Sequence, residues 1–299
     1  MQKWIGRLAR VRRQTLLVAT SLVALLAALS VASPALATPK GGFSVFADCP
    51  LSTAEACVYA KTETGEFTVG SKTVPIEKAI TLQGGFNENS ETGAETFVGA
   101  SNGVTLSKTP QNVPGGLSGL VNCKAISNFL ERISCELVFE NGLTGVSATT
   151  ELAAPASSIG INLRNILFSS GVALTLPLKV HLENPFLGSS CYVGSNSAPI
   201  VIELTTGTTS PPAPNKPISG KPGEVSFIEN EEILKVSKNS LVNNSFAAPA
   251  ANGCGGIFSF LIDPIIDSTM GLPAAAGHNT AILNGTLEET SSESVKASE

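Results

Sequence analysis

The sequence predicts an all-β protein, mainly antiparallel, folded as a β-sandwich or Greek-key barrel with one short helix near residues 263–270. Three observations carry this. Apolar and polar residues alternate with period two through many short segments. Gly, Pro and Asn turn signals separate those segments. Helical character is confined to one stretch near the C-terminus.

Residues 1–37 read differently from the rest. Lys3, Arg7, Arg10, Arg12 and Arg13 stand without an acidic neighbour, an apolar run follows from Leu16 to about Val31, and Ala35-Leu36-Ala37 closes it. That order is a cleavable signal peptide, with cleavage expected after Ala37. The competing reading is a membrane anchor. It has only about 16 apolar residues where a span needs roughly 20, and Pro34 interrupts the end. Arg12-Arg13 invites a twin-arginine route, but Thr15 stands where that signal carries an aromatic residue, which favours general secretion. No cysteine stands directly after Ala35 or at the cleavage site to take a lipid anchor.

Removing 37 residues from 299 leaves 262, and removing five of 19 basic residues leaves 14 against 24 acidic ones, a net charge of −10. That balance argues against nucleic acid, whose phosphates call for Lys and Arg, and against anionic lipid surfaces. The length suits one large β-domain, 38–286, or two small ones. Trp4 is the only tryptophan and lies in the leader, which leaves Tyr59 and Tyr192 beside many phenylalanines. Recognition surfaces draw on Trp and Tyr, so the phenylalanines are expected in the core.

The clearest strand is 174–182, with Leu174, Leu176, Leu178, Val180 and Leu182 on one face and Thr175, Lys179 and His181 on the other. Pro177 cannot donate to a ladder, which predicts an edge position or a bulge there. Similar alternation marks 133–139, 146–152, 159–163 and 200–204. Shorter candidates are 57–62, 66–69, 79–83, 95–98, 104–106, 225–228, 233–236 and 280–283. Asn102-Gly103 and Asn141-Gly142 each fall between two candidate strands, the strongest short signal for a hairpin. The helix is expected to begin at Asp263-Pro264, a cap and a first helical residue, and to stop at Gly271 before Pro273. The apolar stretch 257–270 is too short to span a bilayer.

Six cysteines follow the leader, Cys49, Cys57, Cys123, Cys135, Cys191 and Cys254. An even count after an export signal predicts disulfides. Short loops favour Cys49–Cys57 and Cys123–Cys135, which leaves Cys191–Cys254. A zinc site would need C-x-x-C spacing, and only His181 and His278 are at hand, so no metal is expected. The stretch 207–223 holds five prolines and three glycines. It is either a surface loop of one domain or an extended linker between two. Residues 287–299 are rich in Ser and Glu and are expected to be a disordered tail.

No catalytic motif or cofactor fingerprint stands out. Gly116-Leu117-Ser118-Gly119 does not fit the hydrolase elbow, and Gly253-Cys254-Gly255-Gly256 lacks the strand and the Lys-Ser/Thr of a phosphate loop. Only three aspartates follow the leader, Asp48, Asp263 and Asp267, too few for a calcium loop. Asp263 and Asp267 share a helix face and read as a cap and a solvated carboxylate. Glu229, Glu231 and Glu232 read as a solvated hairpin tip. His181 reads as a surface imidazole. His278, in Gly277-His278-Asn279, reads as a turn in which His and Asn satisfy backbone groups, with a general base as the alternative.

The segments 174–185, 190–194, 204–212 and 277–285, including Ser190-Cys191-Tyr192-Val193-Gly194 and His278-Asn279-Thr280-Ala281-Ile282-Leu283, resemble uncharacterised secreted proteins of high-GC Gram-positive (actinobacterial) bacteria. The resemblance covers most of the chain after the leader. It implies a cell-envelope or extracellular setting and no particular activity. The expected function is therefore a non-enzymatic structural or interaction protein, with no cofactor, binding a protein or an apolar ligand. Two alternatives stand beside it. One is a carrier whose cavity is lined by Phe258, Phe260, Leu261, Ile265 and Ile266. The other is a secreted hydrolase using His278.

Overall fold

The alternating segment around Leu174 becomes the spine of one of two antiparallel sheets. The computed structural model describes residues 38–91, 93–117, 127–130, 132–133 and 145–299. In chain order the strands are β1 (Ala56–Val69), β2 (Lys72–Pro75), β3 (Ile80–Glu88), β4 (Glu95–Gly99), β5 (Gln111–Asn112), β6 (Ser147–Leu152), β7 (Gly160–Ile161), β8 (Leu174–Glu183), β9 (Tyr192–Val193), β10 (Ile200–Leu204), β11 (Glu224–Ile228), β12 (Ile233–Asn243), β13 (Ala251–Asn252) and β14 (Thr280–Ser291). Among the helices that lie wholly within the described residues are α1 (Leu163–Phe168), α2 (Ser259–Met270) and α3 (Ser292–Ala297).

The first sheet runs β11-β12-β14-β1-β3-β4, with β2 added to β1. The second runs β13-β9-β8-β6-β5, with β7 and β10 also on β8. Val58, Leu283 and Leu287 of the first sheet and Leu176, Leu178 and Ile202 of the second meet in one buried core. The chain is thus an all-β sandwich, and Thr205 bridges to Val242 where the two sheets meet at a corner. Residues Thr38–Glu299 form one compact unit.

Pro177 sits in the middle of a central strand, not at an edge. β10 pairs with Leu174–Leu178 on one side of β8, while β6 and β7 divide the other side, at 178–183 and 174–175. The Pro177 carbonyl accepts from Ala153 N–H at 2.9 Å, just beyond the end of β6. The Pro177 nitrogen faces the same gap between β6 and β7, so its missing N–H breaks no ladder bond.

The two candidates at 57–62 and 66–69 are one strand, β1, carried through a bulge between Thr62 and Thr64. Beyond the bulge β1 passes so close to β14 that a Cβ on Gly65, at φ +133°, would meet the Ile282 carbonyl. Asn102-Gly103 does form a turn, with the Asn102 side chain accepting from Val104 N–H at 2.7 Å. The expected hairpin does not follow. Residues 104–106 turn away from β4 and bridge at Leu106 to Leu82 of β3 instead. The candidate strand 133–139, the Asn141-Gly142 turn and the Cys123–Cys135 pair fall wholly or mostly outside the described residues.

The disordered tail expected at 287–299 is instead the end of β14 followed by α3. β14 is paired on both sides, by β1 and β12, so its polar residues are held by two ladders. Glu288 is buried and bonds Lys235 at 2.6 Å. Beyond it Ser291 caps α3, and Val295 is fully buried against Phe43, Phe46 and Ile233. The Cys49–Cys57 disulfide closes this second, smaller core. Two disulfides among the described residues fit an oxidising environment.

The Pro-rich stretch 207–223 is a loop within the unit. Thr208 bridges Ser219, and Asn215 donates its side-chain N–H groups to the carbonyls of Asn244 and Asn279, each at 3.0 Å.

Candidate interaction surface

The sequence Gly253-Cys254-Gly255-Gly256 ends β13 and feeds a short 3-10 turn, Gly256–Phe258, that runs directly into α2. The helix therefore begins at Ser259, four residues before the expected Asp263 cap, and Pro264 stands inside it. It ends as expected, with Gly271 in the left-handed region. Ile262, Ile266 and Met270 recur at i, i+4 and i+8 and face the core.

Asp263 and Asp267 form a second row on the same helix, and neither is a cap or a solvated carboxylate. Asp263 accepts from Gly253 and Cys254 N–H at 3.1 and 2.8 Å, and Asp267 accepts from Ala251 N–H at 2.7 Å. The two carboxylates thus lash the helix to the segment before it. Burial raises the Asp267 pKa above the ordinary carboxylate value, the Ala251 N–H pulls it down and the Asp263 charge adds to the rise.

Cys254 is bonded to Cys191, with Cα atoms 4.0 Å apart, and both are fully buried. Gly255 N–H donates to the Leu187 carbonyl at 2.7 Å, which ties the turn to the 184–190 loop. Gly255 itself is at φ +78°, and a Cβ there would press on Ile262 at 2.7 Å.

These restraints hold an apolar tip out in solvent. Ile257 is 85 % exposed, Phe258 56 %, Phe260 71 % and Leu261 53 %. A single exposed apolar residue is ordinary, but four large ones within five positions on a clamped helix start form a candidate interaction surface. This corrects two expectations. The phenylalanines are not all core, since Phe168 and Phe227 are exposed as well. And Phe258, Phe260 and Leu261 cannot line a cavity with Ile265 and Ile266, because they point away from the protein.

Apolar cavities do exist between the sheets, without that helix tip. One of about 60 Å³ is lined by Val58, Ile166, Leu176, Leu241 and Leu287 among others; a second of about 50 Å³ lies between Val69, Ile76, Val180 and Met270. Phe67, Ile80 and Thr150 border both. Each exceeds the roughly 10–15 Å³ one water needs but falls well short of an ordinary ligand pocket.

His278 is exposed, and no hydrogen bond joins its side chain to a Ser, Thr or carboxylate among the described residues. Its neighbour Asn279 does the structural work the turn reading assigned to both. Asn279 is fully buried, donates to the Phe246 and Ala275 carbonyls at 2.8 and 3.2 Å, and accepts from Gly70 N–H at 2.8 Å. His181 is on the outward face as expected but is not solvated. It stacks on Tyr192 with ring centres 4.5 Å apart, its side chain is 15 % exposed, and its buried Nε2 has no hydrogen-bond partner among the described residues. No group of three His, Cys, Asp or Glu among the described residues could hold a metal ion. Nor is any described helix long and apolar enough to cross a membrane.

Two carboxylates near the first sheet are also raised by burial. Glu289 lies on the inner face of the first sheet, opposite Val58 and Leu234, and burial raises its pKa. Glu95 is raised too, first by burial and further by the Glu88 and Glu289 charges, against a lowering by Leu163 N–H. An acid raised in the folded state contributes stability that is full below its unfolded value and lost as pH rises through the folded one. The Glu289→Gln protein should therefore melt higher than wild type at pH 7, and the gap should close as pH falls toward about 4. A gap that widened on acidification, measured by calorimetry, would refute this assignment.

No protein-family model, no curated protein and no solved structure matches this chain.

Proposed function

We propose that this chain is a non-enzymatic, extracytoplasmic interaction protein of the bacterial cell envelope or its surroundings, exported by a signal peptide at 1–37. It acts by seating the apolar tip 257–261 in an apolar recess of a partner protein. The observation that supports this is the exposure of Ile257, Phe258, Phe260 and Leu261 on a helix start held by a disulfide and two carboxylates. A clamped tip gives up little conformational freedom on docking, so most of its apolar burial is retained as affinity. The actinobacterial resemblance and the disulfides fit this setting.

Burying one phenylalanine is worth about 1.5–3 kcal/mol. The Phe258→Ser/Phe260→Ser protein should therefore bind envelope preparations at least about 100-fold more weakly than wild type, with an unchanged melting temperature. Undiminished binding by the double variant would refute the proposal. Equal binding to protein-free lipid vesicles would move the partner from protein to lipid.

The inter-sheet cavities keep a carrier as the second reading, for a ligand much smaller than a lipid. Binding of a small apolar probe such as benzene, seen as a rise in melting temperature, would support it.

A further inference from the structure

The first sheet has an open edge at β11. All of Glu224–Phe227 is exposed, with Val225 at 52 % and Phe227 at 60 %. These two residues share the inner face with Val236 and Leu234, their neighbours on β12. Val236 is buried beneath the second sheet, but that cover stops short of β11. Soluble proteins usually blunt such an edge with Lys, Pro or a bulge inside the strand. Val225-Ser226-Phe227 carries none of these.

We infer that β11 is a self-association edge, pairing antiparallel with β11 of a second copy about a two-fold axis through Ser226. The sequence is self-complementary in that register. Val225 falls opposite the partner's Phe227 and Phe227 opposite the partner's Val225, so the exposed apolar pair of each copy is covered by the other. Glu224 falls opposite the partner's Ile228, so no like charges face each other. Paired this way, the two first sheets become one continuous sheet with the β11 edges covered. The contact is isologous, as closed dimers require.

The axis gives a register-specific test. Directly opposed residues in antiparallel strands have Cα atoms about 4.5–5.5 Å apart, within the range a disulfide spans. The Ser226→Cys protein should form a disulfide-linked dimer on mild oxidation. The Glu224→Cys protein should not, because its own counterpart on the partner lies roughly 13 Å along the strand. Sedimentation of the purified wild-type protein should show a concentration-dependent dimer that the Phe227→Lys substitution abolishes without lowering the melting temperature. A wild-type protein that stays monomeric up to millimolar concentration would overturn the inference. So would equal cross-linking of the two cysteine variants.

Discussion

Replacing Cys254 with serine is expected to lower the stability of the protein by about 2–5 kcal/mol. The bond to Cys191 closes a loop of 63 residues, for which the chain-entropy estimate is about 4 kcal/mol. The native contacts point the same way. Cys254 N–H is bonded to Asp263, Gly255 N–H to Leu187 and Gly253 N–H to Asp263, so loosening Cys254 frees the start of α2 as a unit. Wild type already offers Phe258 and Phe260 to a hydrophobic dye. The variant should bind still more, because the inward row Ile262, Ile266 and Met270 is uncovered. Denaturant midpoint and dye fluorescence measure both effects. An unchanged midpoint would mean that the carboxylate clamps hold α2 without the disulfide.

The Asn279→Ala substitution should cost nearly as much, about 2–4 kcal/mol. It removes a fully buried amide and leaves Gly70 N–H and the Phe246 carbonyl without their partners, each a loss of about 1–3 kcal/mol. The Asn279 side chain joins the β1–β2 turn to the segments on either side of α2, so the loss should be felt as a drop in global melting temperature. The His278→Ala substitution, one residue away on an exposed side chain, should leave it unchanged. Equal effects of the two would place the stabilising contacts in the backbone of the turn.

The contrast between those neighbours shows what the sequence made legible. The turn at 277–279 could be read from residue types alone, but which side chain entered the core depended on Phe246 and Gly70, residues far away in the chain. The sandwich itself was readable because β8 and β10 bury one face each, so Leu174, Leu176, Leu178, Ile200 and Ile202 imprint period two directly. The Cys191–Cys254 pairing was readable by elimination.

β14 shows the opposite case. Its second half, Thr-Leu-Glu-Glu-Thr-Ser, has the composition of a disordered tail, yet two flanking strands and a salt bridge to Lys235 hold it. Pro177 misled in the same way, because a gap between two short strands on one side of β8 leaves no trace in β8's own sequence. The apolar tip was the largest omission. The composition of Ile257–Leu261 matches the buried row that follows, so nothing in residue type alone sets it apart. Phase separates three of the four. The inward residues repeat every four from Ile262, and Ile257, Phe260 and Leu261 fall off that row, while Phe258 falls on it but lies in the 3-10 turn before α2 begins.

Site-specific photo-crosslinking in living cells tests the central claim most directly. A photoactivatable phenylalanine analogue in place of Phe260 should give, on illumination, a discrete protein adduct that is absent when the same analogue replaces exposed Thr73 on β2. Exposed Phe260 without any adduct, or equal adducts from both positions, would contradict an interaction protein that docks through its apolar tip.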